Sequence, residues 1–135
     1  MTVIFLLDDN KGMLFNHRRL SRDEKILEDI GASLNGNLFI NKFSETLISS
    51  AGIRYTLFDH FPVEGKDEAD YFIENFSVKE HLNEIDRIIV YWWNRKYPSD
   101  YQLDFEPTQN GFKSVSLFEF TGKSHEKITK EIFEK

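Results

Sequence analysis

Residues 3–30 read VIFLLDDNKGMLFNHRRLSRDEKILEDI, and their reading decides the fold. Five apolar residues, Val3 to Leu7, lead directly into Asp8 and Asp9. A strand with no polar position on either side is buried on both faces, which marks a central strand of a parallel sheet. A loop then runs through Gly12 to the arginine pair Arg18 and Arg19. Ser21, with Glu24 three residues on, has the spacing of a helix-opening capping box, and Ile26, Leu27 and Ile30 share a helical face behind it. The unit is strand–loop–helix, with charged residues where the chain leaves the C-terminal end of the strand. In open α/β sheets ligands bind along that edge.

Working outward, Asn35-Gly36 marks a turn and Asn37–Asn41 reads as a short buried strand. Ser44 is placed to cap a helix reaching Ser50, and Gly52 breaks it. Ile53–Phe58 and Asp70–Ile73 read as two more strands, separated by a polar loop over Asp59–Asp67. Ser77 and Glu80 repeat the capping-box spacing and predict a helix to Glu84. Arg87–Trp93 is the longest apolar run and so another central strand. Strands alternating with helices predict a right-handed, mostly parallel sheet. The last strands, Phe112–Phe120 and Glu126–Phe133, have only a turn between them and must pair as an antiparallel hairpin.

At 135 residues the chain is long enough for one domain with a sizeable core, and 40% hydrophobic residues with 13 Phe exclude a disordered chain. Seventeen basic residues against 23 acidic ones give a net charge of −6. That sign disfavours nucleic acid and anionic membranes and suits a basic protein partner. The absence of cysteine excludes disulfides, thiolate chemistry and Cys-based zinc sites. With no basic segment ahead of the first apolar run, and no run near the ~20 residues of a membrane span, a cytoplasmic protein is expected.

Asp8, Asp9 and Asp23, with His17 nearby, are the candidates for a carboxylate site, since paired acids can hold a divalent cation or share a proton. The same residues also serve as turn formers and as acids at a helix start. Arg18 and Arg19 can grip a phosphate or a partner carboxylate, or lie solvated on a loop. Arg95-Lys96-Tyr97 beside Trp92 and Trp93 mixes charge and aromatics as single-strand binders do. The two tryptophans end a strand and point to opposite faces, so at least one belongs to the core. The four histidines, His17, His60, His81 and His125, fall in separate segments without HxH, HExxH or a Ser/His/Asp motif, which argues against a zinc site or a hydrolytic triad. There is no GxGxxG and no Walker A sequence.

The order of elements resembles the dihydrofolate reductase family over most of the chain. Val3–Leu7, the acidic turn and Gly loop from Asp8 to Met13, and Asp23 fall where that family has its first strand, its loop and its folate-binding acid. Asn41-Lys42-Phe43-Ser44 is similar to the family's Gly-Arg-x-Thr segment, with Lys for Arg and Ser for Thr. Asp100 to Phe105 and the final hairpin ending Lys130-Glu131-Ile132-Phe133-Glu134-Lys135 resemble its last strands. The resemblance implies a three-layer α/β sandwich with a mostly parallel central sheet and a C-terminal antiparallel hairpin. For an active reductase it implies NADPH as cofactor, Asp23 as the catalytic acid, and Lys42 and Ser44 on phosphate. The departures fall on the chemistry: Arg18-Arg19 or their neighbours stand for the substrate loop's Pro-Trp, and Glu74-Asn75-Phe76-Ser77 replaces the Gly-Gly that admits a pyrophosphate.

The opening DDxxGMxFNxRR and the ending SHEKITKE also resemble a family of small bacterial proteins labelled ribonuclease Z. That enzyme class needs an HxHxDH metal cluster, which the chain lacks. The reading of first choice is therefore a non-enzymatic immunity or antitoxin protein that masks a basic, nuclease-type toxin and binds no cofactor. Its candidate contact residues are Asp8, Asp9, Arg18, Arg19, Asp23, Glu64, Asp67 and Asp70. The alternatives are a minimal NADPH-dependent pteridine reductase and, behind it, an RNA-binding or nuclease role through Arg18, Arg19, Arg95 and Lys96.

Overall fold

The computed structural model describes residues 1–34, 36–66 and 68–135. The Asn35 half of the expected turn, and Asp67, lie outside the described residues. Strand β1 (Thr2–Leu7) occupies the centre of a seven-stranded sheet, as its unbroken apolar run requires. Val3, Phe5 and Leu7 pack into one core cluster, while Ile4 and Leu6 pack into another on the opposite face. The other strands of this sheet are β4 (Leu38–Ile40), β5 (Tyr55–Leu57), β6 (Asp70–Phe72), β7 (Arg87–Trp92), β9 (Lys113–Phe120) and β10 (Ile128–Glu134), in the order β5-β4-β6-β1-β7-β10-β9. The pairs from β5 to β7 are parallel. Those of β7 with β10 and of β10 with β9 are antiparallel. The α/β architecture with its closing hairpin is thus the one expected, with strand ends moved by one to two residues.

The loop after β1 holds more structure than its sequence suggests. Gly12–Phe15 (β2) and Arg18–Arg19 (β3) pair with each other, and β2 pairs with Tyr101–Gln102 (β8), making a separate three-stranded sheet. The turn that launches it is built on Asp8. One carboxylate oxygen accepts from the amides of Asn10 (2.9 Å) and Gly12 (2.6 Å), and the other accepts from the amide of Tyr97 (3.0 Å). A Cβ on Gly12 would come within 2.8 Å of that carboxylate and 2.7 Å of the Ser99 hydroxyl, so only glycine fits.

Helix α1 (Glu24–Ser33) buries Ile26, Leu27 and Ile30 on one face of the sheet beside Leu47 and Ile48 of α2 (Glu45–Ser50). The opposite face is covered by chain without α-helix, with Phe58, Val78, Leu103, Phe105 and Phe112 filling the core. Among the described residues no helix is long and apolar enough to cross a membrane.

The cap expected at Ser21 is moved, Ser44 holds the N-cap position of α2 without its side-chain bond, and Ser77 bonds the first amide of a different helix type. The cap of α1 is Asp23, whose carboxylate accepts from the Lys25 amide at 2.9 Å, while Glu24 takes Arg22 at 2.8 Å. An ionised oxygen is the stronger acceptor and starts the helix two residues later than Ser21 would. The Ser44 side chain does not cap α2, because its hydroxyl is drawn to Glu74. Ser77 does accept from the Lys79 amide, but it donates to Asp104, and Lys79–Glu84 forms a 3-10 helix rather than an α-helix.

Asp8→Ala would strand three backbone N–H groups and should cost about 2–4 kcal/mol. A lower urea midpoint at unchanged slope checks this, with Asp8→Asn, which keeps one acceptor oxygen, falling between.

Candidate functional site

Three arrangements can be weighed as sites, and the first lies where the chain leaves the C-terminal ends of β1, β4 and β6. Arg19, on β3, reaches across to Glu74, just past β6. Its Nε and one terminal nitrogen each donate to a Glu74 oxygen at 2.8 Å, a two-bonded fork. Ser44 donates to the same carboxylate at 2.7 Å. The Arg19 guanidinium also lies 5.4 Å from the centre of the Phe43 ring. Glu74 is 5% exposed and Ser44 fully buried while Arg19 is partly exposed, so this is a part-buried ion pair whose carboxylate is held by three hydrogen bonds. The space left between it, Met13, Ser21 and Trp93 is about 10 Å³. Lys42, expected on phosphate, is turned outward and pairs with Glu45 at 2.8 Å.

The second arrangement is centred on Asp23. One oxygen accepts from the amides of Lys25 and Lys123, each at 2.9 Å. The other accepts from the Ser124 amide (2.9 Å) and hydroxyl (3.1 Å) and from His125 Nδ1 (3.0 Å). Burial works against this carboxylate, but the N–H groups of Lys123 and Ser124, then His125 and Lys25, outweigh it and hold its pKa far below the ordinary carboxylate range. Gly122 has to be glycine, since a Cβ there would fall 2.6 Å from the Asp23 oxygen.

Because Asp23 can only accept, His125 carries its proton on Nδ1. In the neutral ring Nε2 then accepts from the hydroxyls of Tyr97 (2.9 Å) and Ser21 (3.2 Å). The Trp93 ring lies over the imidazole, with centroids 4.7 Å apart.

Asp23, His125 and Ser21 have the polarity of a nucleophilic triad. The space beside Ser21 has room for about one water, and Tyr97 competes for the same imidazole nitrogen. The cluster acts as a clasp between α1, the β9–β10 turn and the segment after β7, and His125 and Ser124 also border an open cleft of about 540 Å³ with Asp9, Asn94 and Arg95. The four histidines gave no sign of it in sequence, since Asp23 and His125 stand 102 positions apart.

The third arrangement is an open cleft of about 830 Å³ at the β5 edge. Its floor includes Phe39, Leu57, Phe58 and Val63, and its rim carries Asp59, Glu64, His60 and Lys66. Two acids, Asp59 and Glu64, and one lysine, Lys66, line it, while Glu68 and Asp70 border a separate pocket with Met1, Asp86 and Arg87.

The remaining sequence candidates are dispersed. Asp8 and Asp23 are buried, with their carboxylates bonded to backbone N–H groups. Asp9 and Arg18 are exposed, Arg19 is committed to Glu74, and Glu64 is exposed on the cleft. Asp70 is half-buried, and burial raises its pKa, with Arg87 opposing. Trp93 is buried and Trp92 donates to Glu131, so the basic-aromatic stretch presents no pair of stacking rings.

No family model matches the chain, and no curated protein sequence matches it. Among solved structures it is similar to a dihydrofolate reductase from Enterococcus faecalis complexed with NADP(H) and RAB-propyl, with a TM-score of 0.68 over 98% of this chain and 94% of the other. The fold is that of dihydrofolate reductase. At 9% identity the likeness covers the dihydrofolate reductase-like scaffold and nothing further. No family model and no curated sequence supports the resemblance to the small proteins labelled ribonuclease Z.

The clasp gives a pH dependence. The folded pKa of Asp23 lies below its unfolded value, so its contribution to stability is complete above the ordinary carboxylate range and drains away as the pH falls through it. Wild type should therefore lose stability between neutral pH and about pH 3 more steeply than Asp23→Asn. Urea midpoints at the two pH values check this, and parallel losses would refute the assignment.

Proposed function

We propose that the chain is a protein-binding module on a dihydrofolate reductase-like scaffold, most simply an immunity or antitoxin protein whose partner is basic. The observation that carries this reading is the cleft at the β5 edge. It joins an apolar floor to two carboxylates, Asp59 and Glu64, and its size falls within the range of binding clefts. Such a site suits a lysine or arginine whose stem lies on Phe39 and Phe58 while its head meets Asp59 or Glu64. The net charge of −6 would steer a basic partner toward it.

The reductase alternative, with NADPH as cofactor, meets residues that do not fit it. Asp23 has both oxygens saturated and faces the β9–β10 turn. Ser44 is spent on Glu74, and Lys42 on Glu45. A buried carboxylate stands after β6, where a pyrophosphate would need to approach backbone.

Two measurements test the reading. Thermal-shift titrations with NADPH and with dihydrofolate should leave the melting temperature unchanged. Saturation at a hundred times a dissociation constant would add about 2.7 kcal/mol and several degrees, and that result would restore the reductase. Affinity capture from the native cell should return a basic protein that salt releases and that the double variant Asp59→Lys, Glu64→Lys fails to hold. Equal capture by the variant would remove the cleft from the contact.

A further inference from the structure

At the opposite edge of the sheet, β9 carries the largest exposed apolar groups of the chain: Val115, Leu117 and Phe118 are 54%, 65% and 58% exposed. Its inner side is hydrogen-bonded to β10, and its outer side is the edge of the sheet. A long apolar edge is a template for another strand, which proteins usually blunt with charge, proline or a bulge. Here the bulge falls at one end. Ser114 opposes Phe133 and Ser116 opposes Ile132, leaving Val115 as the extra residue. Beyond it Ser116–Phe120 pairs without interruption against Ile132–Ile128. This leaves a regular five-residue run, with Phe118 at its centre.

We infer that this edge pairs with the same edge of a second copy. A two-fold axis perpendicular to the sheet sets β9 antiparallel to its mate, the closed arrangement in which each patch meets itself. Full pairing of Ser116–Phe120 places the axis at Phe118. Phe118 then faces its own copy, and Phe120 faces Ser116, whose small side chain leaves room for the ring. Phe118 and Phe120 already stack at 6.1 Å within one chain, so four phenylalanines line up across the axis. On the other face Leu117 meets the stem of Glu119, whose carboxylate is held by Lys127 at 3.0 Å.

Charge favours a second copy over the basic partner proposed for the cleft. Residues 113–135 contain five lysines and four glutamates, so the hairpin is close to neutral in a chain of net charge −6. Two copies can meet there without bringing their acidic surfaces together. The pairing leaves both β5 clefts at the far ends of the joined sheet, and it stands whether or not the cleft reading holds.

The absence of cysteine makes the test direct. In sedimentation from micromolar to millimolar concentration the wild-type mass should rise from 16.0 kDa to twice that value, and Phe118→Lys should stay at 16.0 kDa. Under mild oxidation Phe118→Cys should form a disulfide-linked dimer, while Leu57→Cys on the far edge should not. Two results would overturn the inference. A 16.0 kDa wild type at every concentration, with Phe118→Cys uncrosslinked, would assign the edge to a different protein. A dimer that survives Phe118→Lys would place the interface elsewhere.

Discussion

The carboxylate of Asp23 is the constraint on which the two halves of the molecule depend. It begins α1, and it also gathers the amides of Lys123 and Ser124 and the ring of His125 from the turn of the C-terminal hairpin. Helix and hairpin lie on distant parts of the chain, and neither can move without leaving charged or polar groups buried and unpaired. Such a break is costly because the desolvated carboxylate has no water to turn to. Trp93 over the imidazole, and Tyr97 and Ser21 on its far nitrogen, extend the clasp into the segment after β7.

The same economy explains the crevice at the strand ends. In an open α/β sheet that edge collects unfilled donors and charges, which is why ligands bind there. Here Arg19, Glu74 and Ser44 satisfy one another, and the remaining void is about 10 Å³. The scaffold shared with a reductase is filled here beside Arg19 and Glu74, while an open cleft of about 540 Å³ bounded by Asp9, Asn94, Arg95 and His125 remains beyond the ends of β1 and β7. A fold alone does not carry a function.

Much of the architecture was legible in the chain. The unbroken run Val3–Leu7 fixes a strand buried on both faces, and the hairpin follows from two strands with no helix between them. The caps were less legible, because Ser21, Ser44 and Ser77 have the right spacing for helix starts. Spacing cannot reveal that Asp23 is the stronger acceptor or that Glu74 will draw Ser44 away. Asp8, Asp9 and Asp23 read in sequence as a carboxylate site or as turn and helix-start residues. Folding buries Asp8 and Asp23, which bond the local amides of Asn10, Gly12 and Lys25 and also the distant ones of Tyr97, Lys123 and Ser124.

What the sequence determined by itself is therefore the part governed by local pattern: the alternation of strands and helices, the central place of Val3–Leu7, the closing hairpin and the acidic balance. These follow from hydrophobic periodicity and turn chemistry, which act over a few residues. The tertiary structure alone decided which polar groups meet. His125 joins Asp23 across 102 positions, Arg19 joins Glu74 across 55, and the apolar residues of β9 are left on an open edge. Buried polar groups must find partners wherever the packed chain brings them, so their pairing is a property of the fold and not of the spacing.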